Sequence, residues 1–357
     1  MSGPPEPSAI AAEISRQAPL VAEEVVNRQY ALQPGVWEKY GARGRILSVR
    51  DVNYHLPFLT SAIEAGDPEL FAQYVAWLRT LFQGLGLDDH STTITLNCIR
   101  DVLVERLPSD MGPPVAAFVD AGLAEMRAAP RPVKAFLDDD GRPQRPLARM
   151  YLEALLRGDR HVASRLVLDS VGRGADLRDV YICVLQDVQH EVGRLWMTNR
   201  ISVAKEHFCT AVTQYVIAQL YPRIMSVPKI GKRIVVACAG GERHEVGARM
   251  VADLFELEGW DAIYLGADTP ASAVADAVRE HAPHALGISA NMAFNLVSVK
   301  EVIAAARRAD KSGQMKTLVG GYQFNANPEL WRMTGADAWA PDGREAVGVA
   351  NALTGPT

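Results

Sequence analysis

One histidine of this chain stands in a setting that suits metal chemistry. Residues 240–247 read GGERHEVG and connect a predicted strand to a predicted helix. Gly240 and Gly241 let the backbone approach a bulky ligand closely, and Gly247 lets the following helix start close to it. Glu242 can accept one ring N–H of His244 and so fix the tautomer that offers the other nitrogen to a metal. The alternative is a structural histidine in a loop beside a helix N-terminus.

A second group combines an indole with a carboxylate. Trp196 is followed, after nine residues, by Glu206 and His207. An indole can fill space against a flat apolar ligand, and a carboxylate can accept hydrogen bonds from hydroxyl groups. The alternative is a tryptophan that closes the end of a helical bundle beside an exposed Glu-His pair.

The elements that must position His244 alternate between strand and helix. Predicted strands cover 233–237, 262–265, 285–289, 316–319 and 336–340, and predicted helices cover 245–258, 271–281, 296–309, 327–333 and 343–353. This alternation predicts a doubly wound parallel sheet, flavodoxin-like, over 232–355. Ligands of such folds bind beyond the carboxyl ends of the strands, where His244 is expected.

Trp196 and Glu206 belong to a helical region over 145–225. Apolar residues recur every four positions from Val180 to Val192 and again from Phe208 to Leu220. With further helical segments near 147–157 and 161–172, this spacing predicts a four-helix bundle. Ser202 is expected to cap the last helix.

Residues 15–130 are predicted to form a separate helical domain, rich in aromatic residues. A linker rich in proline and charge is predicted over 131–144, and residues 1–14 are predicted to be a disordered N-terminus. The chain is thus expected to be a multidomain protein of α and α/β type.

Charge and composition argue against several classes of protein. The net charge of −5 argues against unspecific nucleic-acid binding, which requires clustered basic residues. No apolar run approaches the ~18 residues of a membrane span, and the N-terminus has no signal-peptide pattern. We expect a cytoplasmic protein whose four cysteines (Cys98, Cys183, Cys209 and Cys238) are buried thiols.

The histidine loop resembles the cobalamin-binding signature Asp-x-His-x-x-Gly. Here Glu242 takes the place of Asp, His244 that of the lower cobalt ligand, and Gly247 that of the closing glycine. The family also has Ser-x-Leu after the third strand and Gly-Gly after the fourth, where the nucleotide tail enters. This chain matches them with Ser289-Ala290-Asn291 and Gly320-Gly321, and Asn291 departs from the pattern. The resemblance implies that Arg243 and its neighbours also contact cobalamin.

The spacing of Trp196, Glu206 and His207 resembles that of CarH-type photoreceptors. In that family these residues enclose the adenosyl group of adenosylcobalamin, so the resemblance implies a cap over the cofactor. Some members place a histidine directly after the tryptophan, where this chain has Met197. Light that breaks the cobalt–carbon bond would then change domain packing or oligomeric state.

The order of an aromatic helical domain, a bundle and a cobalamin sheet resembles the photocobilins, which bind biliverdin as well as cobalamin. This resemblance implies a noncovalent biliverdin in residues 15–130. Candidate contacts are Tyr54, His55, Trp77 and Arg45, with Arg43 and Arg100 as further partners for the propionates. Aromatic residues at helical spacing are equally typical of a protein core.

The leading interpretation is a non-enzymatic light sensor that forms homo-oligomers with light-dependent assembly and acts through them or through a separate effector protein. It would bind neither nucleic acid nor membrane directly. Two alternatives stay open. One is the corrinoid methyl carrier of a cobalamin-dependent methyltransferase, and the other is a cobalamin-responsive antirepressor that binds a transcription factor.

Overall fold

The computed structural model describes residues 5–130 and 132–355. The chain forms two compact units. Unit 1 comprises Met1–Val133 with Met197–Arg200, and unit 2 comprises Lys134–Trp196 with Ile201–Thr357. Within the described ranges, no helix is long and apolar enough to cross a membrane.

Unit 1 is helical. Its helices are α1 (Pro7–Leu32), α2 (Pro34–Trp37), α3 (Gly41–Ala65), α4 (Pro68–Gly84), α5 (Asp89–Arg106) and α6 (Gly112–Arg127). Helix α1 packs against α3 and α5, and α4 packs against α6. Asp67 and Asp88 cap α4 and α5, because their carboxylates accept backbone N–H bonds from Glu69 and Ser91.

The N-terminus differs from the sequence expectation. Helix α1 begins at Pro7, so residues 7–14 are helical rather than disordered, and residues 1–4 lie outside the described residues. Ile10, Ala11 and Ile14 are buried on one face of this segment. Their burial supplies the free energy that orders this segment, and the helical spacing of these apolar residues was the signal for it.

The helical part of unit 2 precedes its sheet. It contains α7 (Arg145–Arg157), α8 (Arg160–Gly172), α9 (Leu177–Asp179), α10 (Asp187–Met197) and α11 (Val203–Ile224). A π-helical segment, Val180–Gln186, joins α9 to α10 without a break. Ser202 caps α11 as predicted, with its hydroxyl accepting a 3.2 Å bond from Lys205 N.

The sheet of unit 2 is parallel and five-stranded, as the alternating pattern predicted. Its strands are β1 (Arg233–Cys238), β2 (Asp261–Gly266), β3 (Ala285–Ser289), β4 (Lys316–Gly320) and β5 (Ala338–Trp339), in the order β2-β1-β3-β4-β5. The helices between and after them are α12 (Val246–Leu257), α13 (Ala271–His281), α14 (Leu296–Ala309), α15 (Tyr322–Ala326), α16 (Leu330–Thr334) and α17 (Gly343–Thr354). The strand order reverses between β1 and β3, and open α/β sheets bind ligands beyond such a reversal.

One continuous core holds the bundle of unit 2 to its sheet. It runs from Tyr151 and Val184 on the helical side to Leu254 and Phe255 of α12. A buried polar contact crosses this core, where the Tyr181 hydroxyl donates to Asp253 Oδ2 over 2.9 Å. All four cysteines are free and buried, in agreement with their expected role as thiols.

Candidate functional site

The loop between β1 and α12 holds His244 through Glu242. The Glu242 carboxylate is buried, and its Oε1 lies 2.6 Å from His244 Nδ1 and accepts a 2.7 Å bond from His244 N. The side chain of His244 is 61% exposed. Because Nδ1 is bonded to Glu242, Nε2 is the ring nitrogen directed toward solvent, where it can bind a metal.

The charge of Glu242 is stabilised despite its burial. Burial raises the pKa of Glu242, but bonds from His244 and from Asn291 N outweigh that effect and hold the pKa below its ordinary value. The bond to Glu242 in turn raises the pKa of His244. The carboxylate therefore fixes the orientation of the imidazole and increases its basicity.

Strand register brings the other predicted loop residues to the same edge of the sheet. Ser289 pairs with Cys238 of β1 on one side and with Gly320 of β4 on the other. Gly321 has a φ of +109°, and a Cβ there would lie 2.4 Å from Ala290 O. Only glycine therefore allows the loops after β3 and β4 to approach this closely.

Asn291, which departs from the family pattern, connects three loops at this edge. Its backbone N donates a 2.5 Å bond to Glu242 Oε2, and its side-chain Oδ1 accepts from Tyr322 N over 2.9 Å. Its carbonyl oxygen accepts from Gln323 Nε2. An asparagine here supplies a contact that leucine could not.

Asn295 is a site residue that sequence reasoning missed. It is 1% exposed, and its Nδ2 donates to Gly240 O over 3.1 Å. Its Oδ1 is buried without a partner among the described residues. An unpaired buried acceptor beside the His244 loop fits a ligand that donates N–H groups, as the amide side chains of a corrin ring do.

Gly247 and Arg243 face open space. A Cβ built at Gly247 meets no described atom within 4 Å, so protein packing does not demand a glycine there. Arg243 is exposed. Space left free above the start of α12 is consistent with a large ligand beside His244.

On the bundle, Trp196 is half-buried at the end of α10, and Glu206 and His207 lie in the first turn of α11. His207 is exposed and its Nδ1 contacts the Glu206 carboxylate. The Thr210 hydroxyl lies 3.0 Å from both Glu206 Oε1 and Gln189 Oε1, and its single hydrogen can be donated to one of them at a time.

Gln189 extends this network into the core, since its Nε2 donates to Thr213 Oγ1 over 2.7 Å. Thr213 Oγ1 lies 2.9 Å from the buried Tyr151 hydroxyl. The Glu206 carboxylate is therefore held in place by Thr210, whose other partner, Gln189, is hydrogen-bonded to Thr213 in the core. Sequence reasoning missed Gln189 and Thr210, because polar residues on a helix surface carry no distinctive pattern.

The bundle and the histidine loop meet within unit 2. Gln214 Nε2 of α11 donates a 3.0 Å bond to Glu245 Oε1, and the Tyr264 hydroxyl of β2 donates to the same carboxylate. The negative charge of Glu206 adds to that of Glu242 in raising the pKa of His244. Glu206 and His244, predicted separately from the sequence, thus share one electrostatic environment.

In unit 1, two of the four residues expected to contact a bilin share a neighbouring ring, and the other two lie elsewhere. The rings of His55 and Trp77 each contact the ring of Tyr74, with centroids 5.9 Å and 6.0 Å from it. Tyr54 is 58% exposed, on another face of α3. Arg45 donates to Glu23 and to Asn27 Oδ1. Cys98 is buried and burial raises its pKa, which agrees with the expected buried thiol.

The protein ligands near His244 suit a metal that is already held within a cofactor. Nowhere in residues 5–130 or 132–355 do three His, Cys, Asp or Glu side chains gather as a metal site. His244 therefore offers a single protein nitrogen, which suffices only where a macrocycle supplies the other ligands. The exposed Nε2, the free space at Gly247 and the unpaired Asn295 Oδ1 all fit such a group.

Two family models match this chain. A B12 binding domain matches residues 232–350, and a second B12 binding domain model matches residues 147–221. The matched ranges contain the histidine loop and the bundle with Trp196 and Glu206. The cobalamin chemistry predicted from the sequence is confirmed at this level.

Relatives of the chain are corrinoid proteins and a repressor. A corrinoid protein of Desulfitobacterium hafniense (strain Y51) is 26% identical over 208 residues, which are 57% of this chain and 95% of that protein. The HTH-type transcriptional repressor CarA of Myxococcus xanthus is 33% identical over 90 residues, which are 25% of this chain and 31% of the repressor. The non-enzymatic role predicted from the sequence agrees with these relatives.

A solved structure supports the fold. The Methanosarcina barkeri monomethylamine corrinoid protein aligns with a TM-score of 0.53 and 19% identity, covering 59% of this chain and all of that one. Residues 147–221 and 232–350 thus form cobalamin-binding domains like those of corrinoid proteins.

Proposed function

We propose that this protein is a cytoplasmic light sensor that binds adenosylcobalamin between the bundle of unit 2 and its sheet. The observation that carries the proposal is the hydrogen bond from Gln214 to Glu245, which joins the helix that carries Glu206 to the loop that carries His244. One group comes from the bundle and the other from the sheet domain. A cofactor bound by both would join the bundle to the sheet, and its loss would remove the contacts made through it.

Each residue has a defined role in this proposal. His244 Nε2 would bind the cobalt, and Glu242 would hold the imidazole ring in place. Trp196 would pack against the adenosyl group, and Glu206, positioned by Thr210, would accept hydrogen bonds from its ribose hydroxyls. Adenosylcobalamin supplies a cobalt–carbon bond that visible light breaks. Without the adenosyl group, Trp196 and Glu206 would have no ligand to contact, and the packing or oligomeric state would change.

The test is absorption spectroscopy and size-exclusion chromatography of protein loaded with adenosylcobalamin in the dark, before and after green light. We expect an irreversible spectral change and an altered elution volume. Trp196→Ala should reduce the preference for adenosyl- over methylcobalamin. A spectrum that light leaves unchanged would reject the proposal.

The second candidate is a corrinoid methyl carrier, favoured by the match to corrinoid proteins over 57% of the chain. A methyl carrier needs an upper face that a partner enzyme can reach, and Trp196 would obstruct it. Equal affinity for methyl- and adenosylcobalamin, with no response of the elution volume to light, would favour this candidate. An antirepressor would instead be identified by light- or cobalamin-dependent capture of a defined transcription factor.

We further propose that unit 1 binds biliverdin noncovalently. His55 supports this, because burial lowers its pKa to about 4 and so leaves a neutral imidazole among the rings of Tyr74 and Phe82. Such an environment can pack against a conjugated ligand. Protein reconstituted with biliverdin should show a red absorption band that His55→Leu or Trp77→Leu alters. A band unaffected by either change would place the bilin elsewhere.

A further inference from the structure

Helix α11 of unit 2 keeps one apolar face uncovered. Its buried face includes Val212, Val216 and Leu220, which belong to the core that joins the bundle to the sheet. The opposite face, which we call the α11 seam, is formed by Ala204, Phe208, Ala211, Tyr215, Ala218 and Pro222. Phe208 is half-buried and the other five residues are exposed. A surface helix normally carries polar or charged residues on this side, so an uncharged face of this length indicates a contact surface.

The α11 seam has the spacing by which two helices pack side by side. Intervals of four and three residues alternate along it from Ala204 to Pro222. Small and large side chains also alternate, since an alanine stands at every second position of the seam. The side chain of Tyr215 stands out from this face and is 57% exposed. A matching partner helix must therefore place small residues opposite Phe208 and Tyr215 and larger residues opposite the alanines.

A second copy of α11 in antiparallel orientation meets this requirement. In one register Ala211 lies opposite Tyr215 of the second copy, and the same register sets Phe208 opposite Ala218. It also brings the two ends of the seam together, Ala204 opposite Pro222. Each alanine of one copy thus faces a larger side chain of the other. The two copies are related by a two-fold axis, as in most protein dimers, whose interface is the same patch on both subunits.

The charges of α11 favour this antiparallel orientation. The charged residues of the helix are Lys205, Glu206 and Arg223. In the antiparallel register Lys205 lies at the level of Tyr221 of the second copy, where an ammonium group can approach an aromatic ring. Arg223 lies at the level of Val203, so no like charges meet. In a parallel pair each charged residue would lie opposite its own copy, and the like charges would repel each other.

We propose that the α11 seam binds the α11 seam of a second copy of this chain, in the antiparallel register that sets Ala211 opposite Tyr215. The pairing itself requires no cofactor. Its link to light rests on the proposed function. The same helix carries Glu206 and reaches Glu245 through the hydrogen bond from Gln214. A cofactor that displaces α11 would therefore change the stability of the dimer.

Sedimentation velocity of the full chain, without cofactor and in the dark, tests the pairing. We expect the protein to shift from monomer to dimer as its concentration rises. Ala211→Glu would place a carboxylate against Tyr215 of the second copy, so it should raise the dissociation constant of the dimer at least about tenfold. Ala304→Glu makes the same change at an exposed alanine of α14 and should leave the constant unchanged. A chain that stays monomeric, or an Ala211→Glu dimer as tight as the natural one, overturns the proposal.

Cross-linking tests the register. A rise of about 1.5 Å per residue places Ala211 about 6 Å along the helix axis from Ala211 of the second copy, and Ala218 about 15 Å from its own copy. A short bismaleimide should therefore join two Ala211→Cys chains efficiently and two Ala218→Cys chains much less. The four natural cysteines are buried, and the natural protein provides the background. Equal cross-linking of the two variants would indicate a parallel pair and would contradict the proposed register.

Green light separates this proposal from the proposed function. With adenosylcobalamin bound, the natural protein and Ala211→Glu should show the same change of absorption, because Ala211 lies outside the cofactor site. Only the natural protein should also change its elution volume. A dimer whose absorption does not respond to light would support the pairing and reject the light sensor. A light response in a chain that never dimerises would support the sensor and reject the pairing.

Discussion

Gln214 of helix α11 donates a 3.0 Å hydrogen bond to Glu245, the residue that follows His244. This bond joins the helix that carries Glu206 to the loop that carries the expected cobalt ligand. A displacement of α11 would therefore act directly on that loop through this bond. The relationship gives the bundle and the sheet of unit 2 a specific point of connection beside the cofactor site.

We expect Gln214→Ala to lower the free energy of unfolding by about 1 kcal/mol, the usual contribution of one such bond. A double-mutant cycle with Glu245→Ala should give a coupling energy of similar size. Urea denaturation of the four proteins measures it. Strictly additive effects would show that the bond contributes nothing to stability.

His244→Ala should weaken cobalamin binding at least about tenfold and change the visible spectrum, because the protein nitrogen is lost. His161→Ala on the exposed surface of α8 is the control and should bind normally. Equilibrium dialysis and absorption spectra measure both properties. Unaltered affinity and spectrum in His244→Ala would remove this residue as the cobalt ligand.

Glu242→Asp would restore the residue of the family signature, yet we expect it to weaken cobalamin binding by about 10-fold. In this chain one glutamate reaches both His244 Nδ1 at 2.6 Å and Asn291 N at 2.5 Å. An arm shorter by one methylene cannot keep both contacts, and loss of a partner behind a metal-binding histidine costs about 10–100-fold in affinity. Tighter binding by the aspartate variant would contradict this role of Asn291.

Gly247→Ala and Gly321→Ala separate ligand binding from folding. At Gly247, inside α12 and facing open space, alanine should raise unfolding free energy by about 0.5–1 kcal/mol and reduce cobalamin affinity by occupying ligand space. At Gly321, a Cβ would meet Ala290 O at 2.4 Å with φ at +109°, so alanine should destabilise the fold by about 2 kcal/mol or more. Thermal unfolding without and with cobalamin distinguishes the two effects.

Asp253 should make stability depend on pH. Burial raises its pKa to about 6, from an ordinary value of 3.8. The folded state therefore binds the proton more tightly than the unfolded state, and this contribution to stability is present in full below pH 3.8 and is lost as pH rises to about 6.

Asp253→Asn keeps an acceptor for the Tyr181 hydroxyl and removes the charge. Above pH 6 we expect this variant to be more stable than the natural protein by roughly 2–3 kcal/mol. Its unfolding free energy should vary less between pH 4 and 6. If the unfolding free energies of the two proteins changed with pH in the same way, Asp253 would not be the group responsible.

Much of the fold was predictable because it follows from local pattern. Ser202 was identified as a cap from its position before an apolar helical stripe, and β3 matched its predicted residues, 285–289, without change. Strand β5 is shorter than predicted, since only Ala338 and Trp339 pair with β4. An apolar run specifies a buried segment, but the partner strand decides how much of it is hydrogen bonded.

The sequence by itself determined that His244 would stand beyond a strand end, with a carboxylate two residues before it. Only the tertiary structure decided that Glu242 would also bind Asn291, that Asn295 would bring an unpaired oxygen to the same edge, and that Gln214 would reach Glu245. The reason is physical. Spacing along a chain fixes which residues share a loop or a helix face, whereas contacts between distant segments depend on strand register and on how the elements pack.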